Sequence, residues 1–311
     1  MQIGILEPNM FSLAAITKLK KIGNVTVFDG TNLKQFLFPL NILFIRLSYN
    51  IDKSFLNNCP KLKWLCSPTT GTNHLDYNFL KAKKINLITL KGEVKFLKGI
   101  RATPEHTFGL ILAILRKYNF ALSDIKNGKW DRNKCRGEEI KQNKIGIIGL
   151  GRVGYQLATY CHAFGAEVSW FDNAKVKFKP NWKKFNNVMD LIKHNKVIVL
   201  CADFKKGQLP IINKKEIKVL TDKYFINSSR GELVDEDSLI NFVKNGNIAG
   251  VALDVITNEN SKNNLHIWKK LSQTFNVFLT PHIGGMTKES LEKTELFIVK
   301  KLHVALIQEN K

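Results

Sequence analysis

The stretch Lys144-Ile-Gly-Ile-Ile-Gly-Leu-Gly-Arg-Val-Gly154 constrains what this chain can fold into more than any other. An apolar run ends in Gly149, Gly151 and Gly154, a segment of helical pattern follows over 155–163, and Asp172 ends the next apolar run. G-x-G-x-x-G alone is a weak signal; a strand before it, a helix after it and an acid about twenty residues on make it a dinucleotide-binding turn. Gly149 permits the tight turn, Gly151 lets backbone approach a pyrophosphate, and Gly154 lets the helix pack on the strand. The helix start, with Arg152 and Val153, offers N–H groups and positive potential to phosphates. Asp172 suits the ribose hydroxyls and repels a 2′-phosphate, which favours NAD over NADP; Lys175 and Lys177 close behind weaken that preference.

Around this turn the chain alternates short β-branched runs with amphipathic stretches. Runs at 3–6, 25–28, 42–46, 64–67 and 87–90 predict one parallel sheet with helices on both faces. A second series at 145–150, 167–171, 197–201, 224–227, 248–253 and 277–279 predicts a six-stranded dinucleotide-binding sheet. Between them, 103–125 reads as one long helix, with Pro104 and Glu105 suited to its first turn. The tail 288–308 carries an apolar stripe and has no further sheet to join, so it is expected to return to the first domain. The fold class is therefore α/β: a discontinuous flavodoxin-like substrate domain (1–100 and 288–311) and a six-stranded Rossmann domain (101–287).

Oxidation or reduction of a 2-hydroxy or 2-oxo acid needs a cation for the carboxylate, a proton donor for the carbonyl oxygen, and a group that keeps the donor charged. Arg230 in Asn227-Ser-Ser-Arg-Gly-Glu232, Glu259 after Asp254-Val255, and His282 in Thr280-Pro-His-Ile-Gly-Gly285 are candidates. All three lie just beyond the ends of predicted parallel strands, where open α/β sheets bind ligands. Taken singly, each also fits a plain turn or polar loop.

Together with Ala252-Leu-Asp-Val255, Glu105-His106 and Gly128-Lys-Trp130, these segments resemble the D-isomer-specific 2-hydroxyacid dehydrogenases over essentially the whole length. The resemblance implies that Arg230 holds the substrate carboxylate and carbonyl oxygen, that His282 exchanges a proton with that oxygen, and that Glu259 favours the imidazolium of His282. It implies that Asp254 contacts the nicotinamide amide and that Thr103 touches the nicotinamide side. Cys201, Ala202, Ser228, Ser229, Gly284 and Gly285 would also line the cofactor. Thr70 and Gly71 would offer backbone N–H groups to the substrate carboxylate, with Arg46 and Ser48 on the loop that reaches the rest of the substrate. Two departures stand out: Asn260 follows Glu259 where proline is common, and Cys201-Ala-Asp203 replaces a His-x-Pro pattern. The other histidines, His106 among them, are expected to be structural or at the surface.

The cofactor expected is NAD, and the substrate a small acid of the glyoxylate, hydroxypyruvate or 3-phosphoglycerate class, Arg46 favouring an anionic one. The alternative is an NAD(H)-sensing binding protein of the same fold, which would not need the Arg230, Glu259, His282 set. A homodimer is expected from the resemblance, with its contact on the cofactor domain and the helix near Thr103. The net charge of +22, from 48 Lys+Arg against 26 Asp+Glu, raises nucleic acid as a partner. The lysines are scattered in ones and twos, however, which fits a solvated surface better. The apolar stretch 36–47 is interrupted by Pro39, Asn41 and Arg46 and is shorter than the ~20 residues of a membrane span. Five cysteines without a Cys-x-x-Cys pair suggest reduced thiols and no metal, so a cytoplasmic protein is expected. No appended regulatory domain is expected after the last helix.

Overall fold

A computed structural model describes residues 1–174, 176, 181–205, 207–259 and 262–309; Lys175, Lys177 and Asn260 lie outside the described residues. The chain divides into two compact units, residues 1–100 with 286–311, and residues 101–285.

The first unit runs β1 (Gln2–Ile5), α1 (Leu13–Lys20), β2 (Asn24–Val27), α2 (Leu33–Leu37), β3 (Ile42–Phe44), α3 (Lys53–Leu56), β4 (Trp64–Ser67), α4 (Tyr77–Ala82), β5 (Asn86–Thr89) and α5 (Val94–Leu97). Its strands pair in parallel in the order β2-β1-β3-β4-β5, the flavodoxin-like arrangement. β3 and β4 are buried on both faces, as central parallel strands must be, whereas β2 at the edge is mostly exposed. Ser12, Asn32, Asp52 and Asp76 start α1 to α4 by accepting a backbone N–H of the first turn, each cap worth ~1 kcal/mol.

The second unit runs α6 (Ala102–Leu115), α7 (Tyr118–Lys126), β6 (Lys144–Ile148), α8 (Arg152–Ala163), β7 (Glu167–Phe171), β8 (Lys183–Lys184), α9 (Val188–His194), β9 (Val197–Leu200), α10 (Lys214–Lys218), β10 (Tyr224–Asn227), α11 (Glu236–Lys244), β11 (Gly250–Leu253), α12 (Lys262–Thr274) and β12 (Val277–Leu279). The parallel sheet order is β12-β11-β10-β9-β6-β7-β8. Among the described residues it therefore has seven strands rather than six. The addition, β8, is a Lys-Lys pair alongside Ser169 and Trp170. A charged two-residue edge strand has no apolar alternation to reveal it, and its charge blunts the sheet edge. The closing helix α13 (Lys288–Glu309) packs on α1, β4 and β5.

The single helix expected over 103–125 is broken. α6 stops at Leu115, and Lys117 sits at φ 53 before α7 begins. Distant chain satisfies the last carbonyls of α6: Leu115 O accepts the Glu138 N–H at 3.0 Å and Ile114 O accepts Asn276 Nδ2 at 3.1 Å. A Cβ on Gly137 would lie 2.3 Å from Leu115 O, so only glycine lets that returning strand of chain approach the helix end. Among the described residues, no helix is long and apolar enough to cross a membrane. All five cysteines are free thiols.

Candidate active site

The sheet of the second unit reverses its winding between β6 and β9, the place at which open α/β sheets bind ligands. Gly149 follows β6 at φ +94, and a Cβ there would lie 2.6 Å from Ala202 N and Cα, the loop after β9. Gly154, inside the first turn of α8, would place a Cβ 2.1 Å from Gly149 O. Both glycines are therefore demanded by the protein's own packing. Gly151 is not: a Cβ there would meet nothing within 4 Å. It caps α8, whose first turn begins with Arg152 and Val153 and, as at any helix start, directs backbone N–H groups outward. A glycine that the protein does not need, beside a helix N-terminus, leaves backbone bare for an external anion, and these residues fit a dinucleotide pyrophosphate.

Asp172, just past β7, accepts the Leu150 N–H on Oδ2 and the Ala174 N–H on Oδ1, each at 2.8 Å. Its carboxylate is thus locked to the glycine loop. Cys201 and Ala202 follow β9 on the other side, and burial pushes the Cys201 thiol up to about 12. The Ala202 carbonyl accepts a short hydrogen bond from Ser229 Oγ. Ser228 Oγ lies 2.6 Å from Thr107 Oγ1, and Thr107 also bonds the Thr103 carbonyl at 2.8 Å, which ties the start of α6 to the loop after β10.

That loop carries Arg230. Asn227, the last residue of β10, accepts the Ser229 N–H and donates to the Arg230 carbonyl, fixing the turn. Arg230 Nη1 donates to Ser229 O at 2.6 Å, which uses one of the five guanidinium donors. Gly231 follows, fully buried; a Cβ there would lie 2.2 to 2.4 Å from the backbone of Ile256 and Thr257. The Arg230 turn is thereby pressed against the loop that leads to Glu259.

Asp254 lies just past β11 at 2% exposure. Its carboxylate accepts Thr280 Oγ1 (2.7 Å), the Ile283 N–H (2.9 Å) and the Gly284 N–H (2.8 Å), and lies 3.2 Å from His106 Nε2. Burial acts to raise its pKa. The hydrogen bonds from His106, Thr280 and Ile283, with the charge of His106, outweigh it and hold the carboxyl below its ordinary value. The Asp254 carboxylate thus folds the loop carrying His282, Gly284 and Gly285. His106, read in the sequence as structural or surface, belongs to this cluster, with Nε2 3.1 Å from Thr280 Oγ1. Its only signal in the sequence is the place beside Glu105 at a helix start.

His282 itself sits at φ +53, its N–H bonded to Asp254 O at 2.8 Å. Its Nδ1 lies 2.8 Å from Glu259 Oε2. Asn258 at φ +54 turns the chain just before Glu259. Two left-handed residues, one on each loop, therefore bring together side chains that are 23 positions apart.

The remaining predicted residues lie in the first unit. Arg46 does not present a free cation to a substrate. Its guanidinium pairs with the fully buried Glu295 of α13 and donates to the carbonyls of Asn9 (2.8 Å) and Met10 (3.3 Å). Ser48 Oγ donates to Glu7 Oε2 at 2.7 Å. Thr70 is exposed, and the neighbouring Gly71 carbonyl accepts Thr69 Oγ1 at 3.0 Å.

Residues 108–284, more than half of the chain, match the model of the D-isomer specific 2-hydroxyacid dehydrogenase NAD binding domain. The chain belongs to this family. As a member of it, the chain carries an NAD-binding domain in its second unit. It is similar to the D-3-phosphoglycerate dehydrogenase of Haemophilus influenzae (28% identity over 85% of this chain and 63% of that one). It is also similar to the glyoxylate reductase of Thermococcus litoralis (29% identity over 81% of this chain and 76% of that one). The chain spans less than two thirds of the length of the first of these relatives. The fold matches that of the D-lactate dehydrogenase of Aquifex aeolicus solved with NAD and lactic acid, with a TM-score of 0.84 at 22% identity over 99% of this chain and 96% of that one.

Proposed function

We propose that this chain is an NAD-dependent oxidoreductase that interconverts a small 2-oxo acid and its 2-hydroxy acid. The observation that carries this reading is the Glu259–His282 pair, held at 2.8 Å by two loops in left-handed turns beside the dinucleotide crevice. A carboxylate facing Nδ1 makes that nitrogen the donor and leaves Nε2 to exchange a proton with substrate. During reduction, His282 Nε2 gives its proton to the carbonyl oxygen while Glu259 stabilises the imidazolium beforehand. Arg230 binds the carboxylate through its planar fork and polarises the same oxygen. A reduced dinucleotide, held by the 149–154 turn and Asp172, would supply the hydride that C2 needs.

Among relatives, glyoxylate, hydroxypyruvate and 3-phosphoglycerate all occur as substrate classes. With the Arg46 charge already neutralised by Glu295, the first unit's argument for a phosphorylated acid is removed. Short acids without a second anion are therefore the first to try. Loss of NADH absorbance should be followed with glyoxylate, pyruvate, hydroxypyruvate and phosphohydroxypyruvate, for wild type, His282→Ala and Arg230→Ala. Turnover by wild type with a loss of at least ~100-fold in both variants supports the reading. Tight NADH binding without turnover of any acid favours the sensor instead.

A homodimer is part of the same proposal. α7 and the segment after it expose Leu122 (55%), Ile125 (56%) and Trp130 (85%), apolar surface that a second copy would cover. Sedimentation of wild type against Trp130→Glu tests it.

A further inference from the structure

Glu236 touches none of the reacting groups, yet it grips the loop that presents Glu259. It is the first residue of α11, after the cap Asp235. Its two carboxylate oxygens serve two separate donors: Oε1 accepts the indole N–H of Trp268 at 2.6 Å, and Oε2 accepts a short hydrogen bond from the Thr257 N–H. Trp268 is fully buried, so one end of this bridge is anchored in the core. The other end is backbone two residues before Glu259. Asn264 Nδ2 holds the Thr257 carbonyl at 3.1 Å, and the Gly231 backbone blocks the loop from the other side. An acid at a helix start gains from the dipole even when it points into solvent. That general benefit does not account for a carboxylate that joins a buried indole to the backbone of an exposed loop.

We propose that Glu236 is a positioning residue for the Glu259–His282 pair. Both partners are partly exposed, 39% and 25% of their side chains, so water screens their attraction and its strength depends on the separation being maintained. Glu259 can hold 2.8 Å only if its backbone is restrained, and the bridge from Trp268 through Glu236 to Thr257 supplies that restraint. A displacement of ~1 Å at a reacting group can cost ~100-fold in rate. The inference rests on the reaction proposed above.

The test compares Glu236→Gln with Glu216→Gln, a control in which the altered glutamate closes the capping box of α10 and touches no loop of the site. Glutamine keeps the shape of Glu236 but turns one acceptor into a donor, so the Thr257 or the Trp268 N–H loses its partner. In Glu236→Gln, kcat for the best oxo acid falls about tenfold with NADH affinity unchanged. In Glu216→Gln only thermal stability changes. A folded Glu236→Gln protein with the kcat of wild type overturns the proposal, and so does the same fall in kcat in Glu216→Gln. If Glu236→Gln does not fold, Trp268→Phe, which removes only the indole donor, must show the same fall in kcat in smaller measure or the proposal falls. The Nδ1 proton resonance of His282, assigned by its loss in Glu259→Gln, separates this inference from the reaction. If it disappears in Glu236→Gln while wild type turns over no acid, positioning stands and the reaction assignment falls. If it persists, positioning fails whatever the activity.

Discussion

The molecule contains two parallel sheets, and each has a point where the winding reverses and a crevice opens beyond the strand ends. The first sheet fills its crevice with its own side chains. Glu7 after β1 accepts the backbone N–H of Arg46 after β3 at 2.7 Å, and the Arg46 guanidinium is buried against Glu295, Asn9 and Met10. Past β6 the second sheet closes Gly149 on Ala202 but leaves Gly151 bare, with nothing within 4 Å of where its Cβ would stand. The same backbone geometry thus yields a sealed end in one unit and a binding site in the other. What decides between them is whether the residues at the strand ends carry charged side chains or none.

Breaking the sealed crevice should have the largest effect. Glu295→Ala leaves the Arg46 charge buried without its partner, at a cost of ~3–5 kcal/mol. Urea unfolding should show that loss while NADH affinity stays as in wild type; equal losses in both would mean that the two crevices are not independent. In the open crevice, two glycines should behave in opposite ways. Gly151→Ala meets no protein atom, so its melting temperature should match wild type while NADH affinity falls ~100-fold, or ~2.7 kcal/mol. Gly154→Ala should lower the melting temperature by itself, since its Cβ collides with Gly149 O.

A smaller effect is expected at Asp254. Asp254→Asn removes an acceptor from the 280–284 loop and should cost ~2 kcal/mol at neutral pH, read by chemical unfolding. The sign with pH follows from its lowered folded value. The stabilisation is complete above the unfolded carboxyl value of ~3.9 and is lost as pH falls through the folded one, so wild type and variant should converge in acid. A constant difference down to the lowest pH would show that Asp254 stabilises by packing alone. The smallest change is at Asp172: Asp172→Ala should weaken NADH about tenfold and narrow its advantage over NADPH, measured by titration of both. An unchanged ratio would mean that the carboxylate serves only to pin Leu150 and Ala174.

Much of this was legible in one dimension. Local chemistry signals the glycine spacing of the 149–154 turn and the apolar runs of β3, β4, β9 and β10, because such patterns lie within a few residues. The break at Lys117 was not legible. A helix end capped by Glu138 and Asn276 depends on chain that is distant in sequence, and 103–125 alone gives helical spacing throughout. β8 was missed because two lysines at a sheet edge have no pattern to show.

At the site, residue type and spacing determined that a cation, an acid and a histidine follow strands of a dinucleotide-binding sheet. Tertiary structure alone decided what those side chains touch. It committed Arg46 to Glu295, drew His106 into the Asp254 cluster, and set Glu259 against His282 through two left-handed turns. A sequence carries periodicity and local conformational preference, which set the elements and their order. The partner of a charged side chain depends on the three-dimensional convergence of loops from different strands, and no local signal encodes that distance.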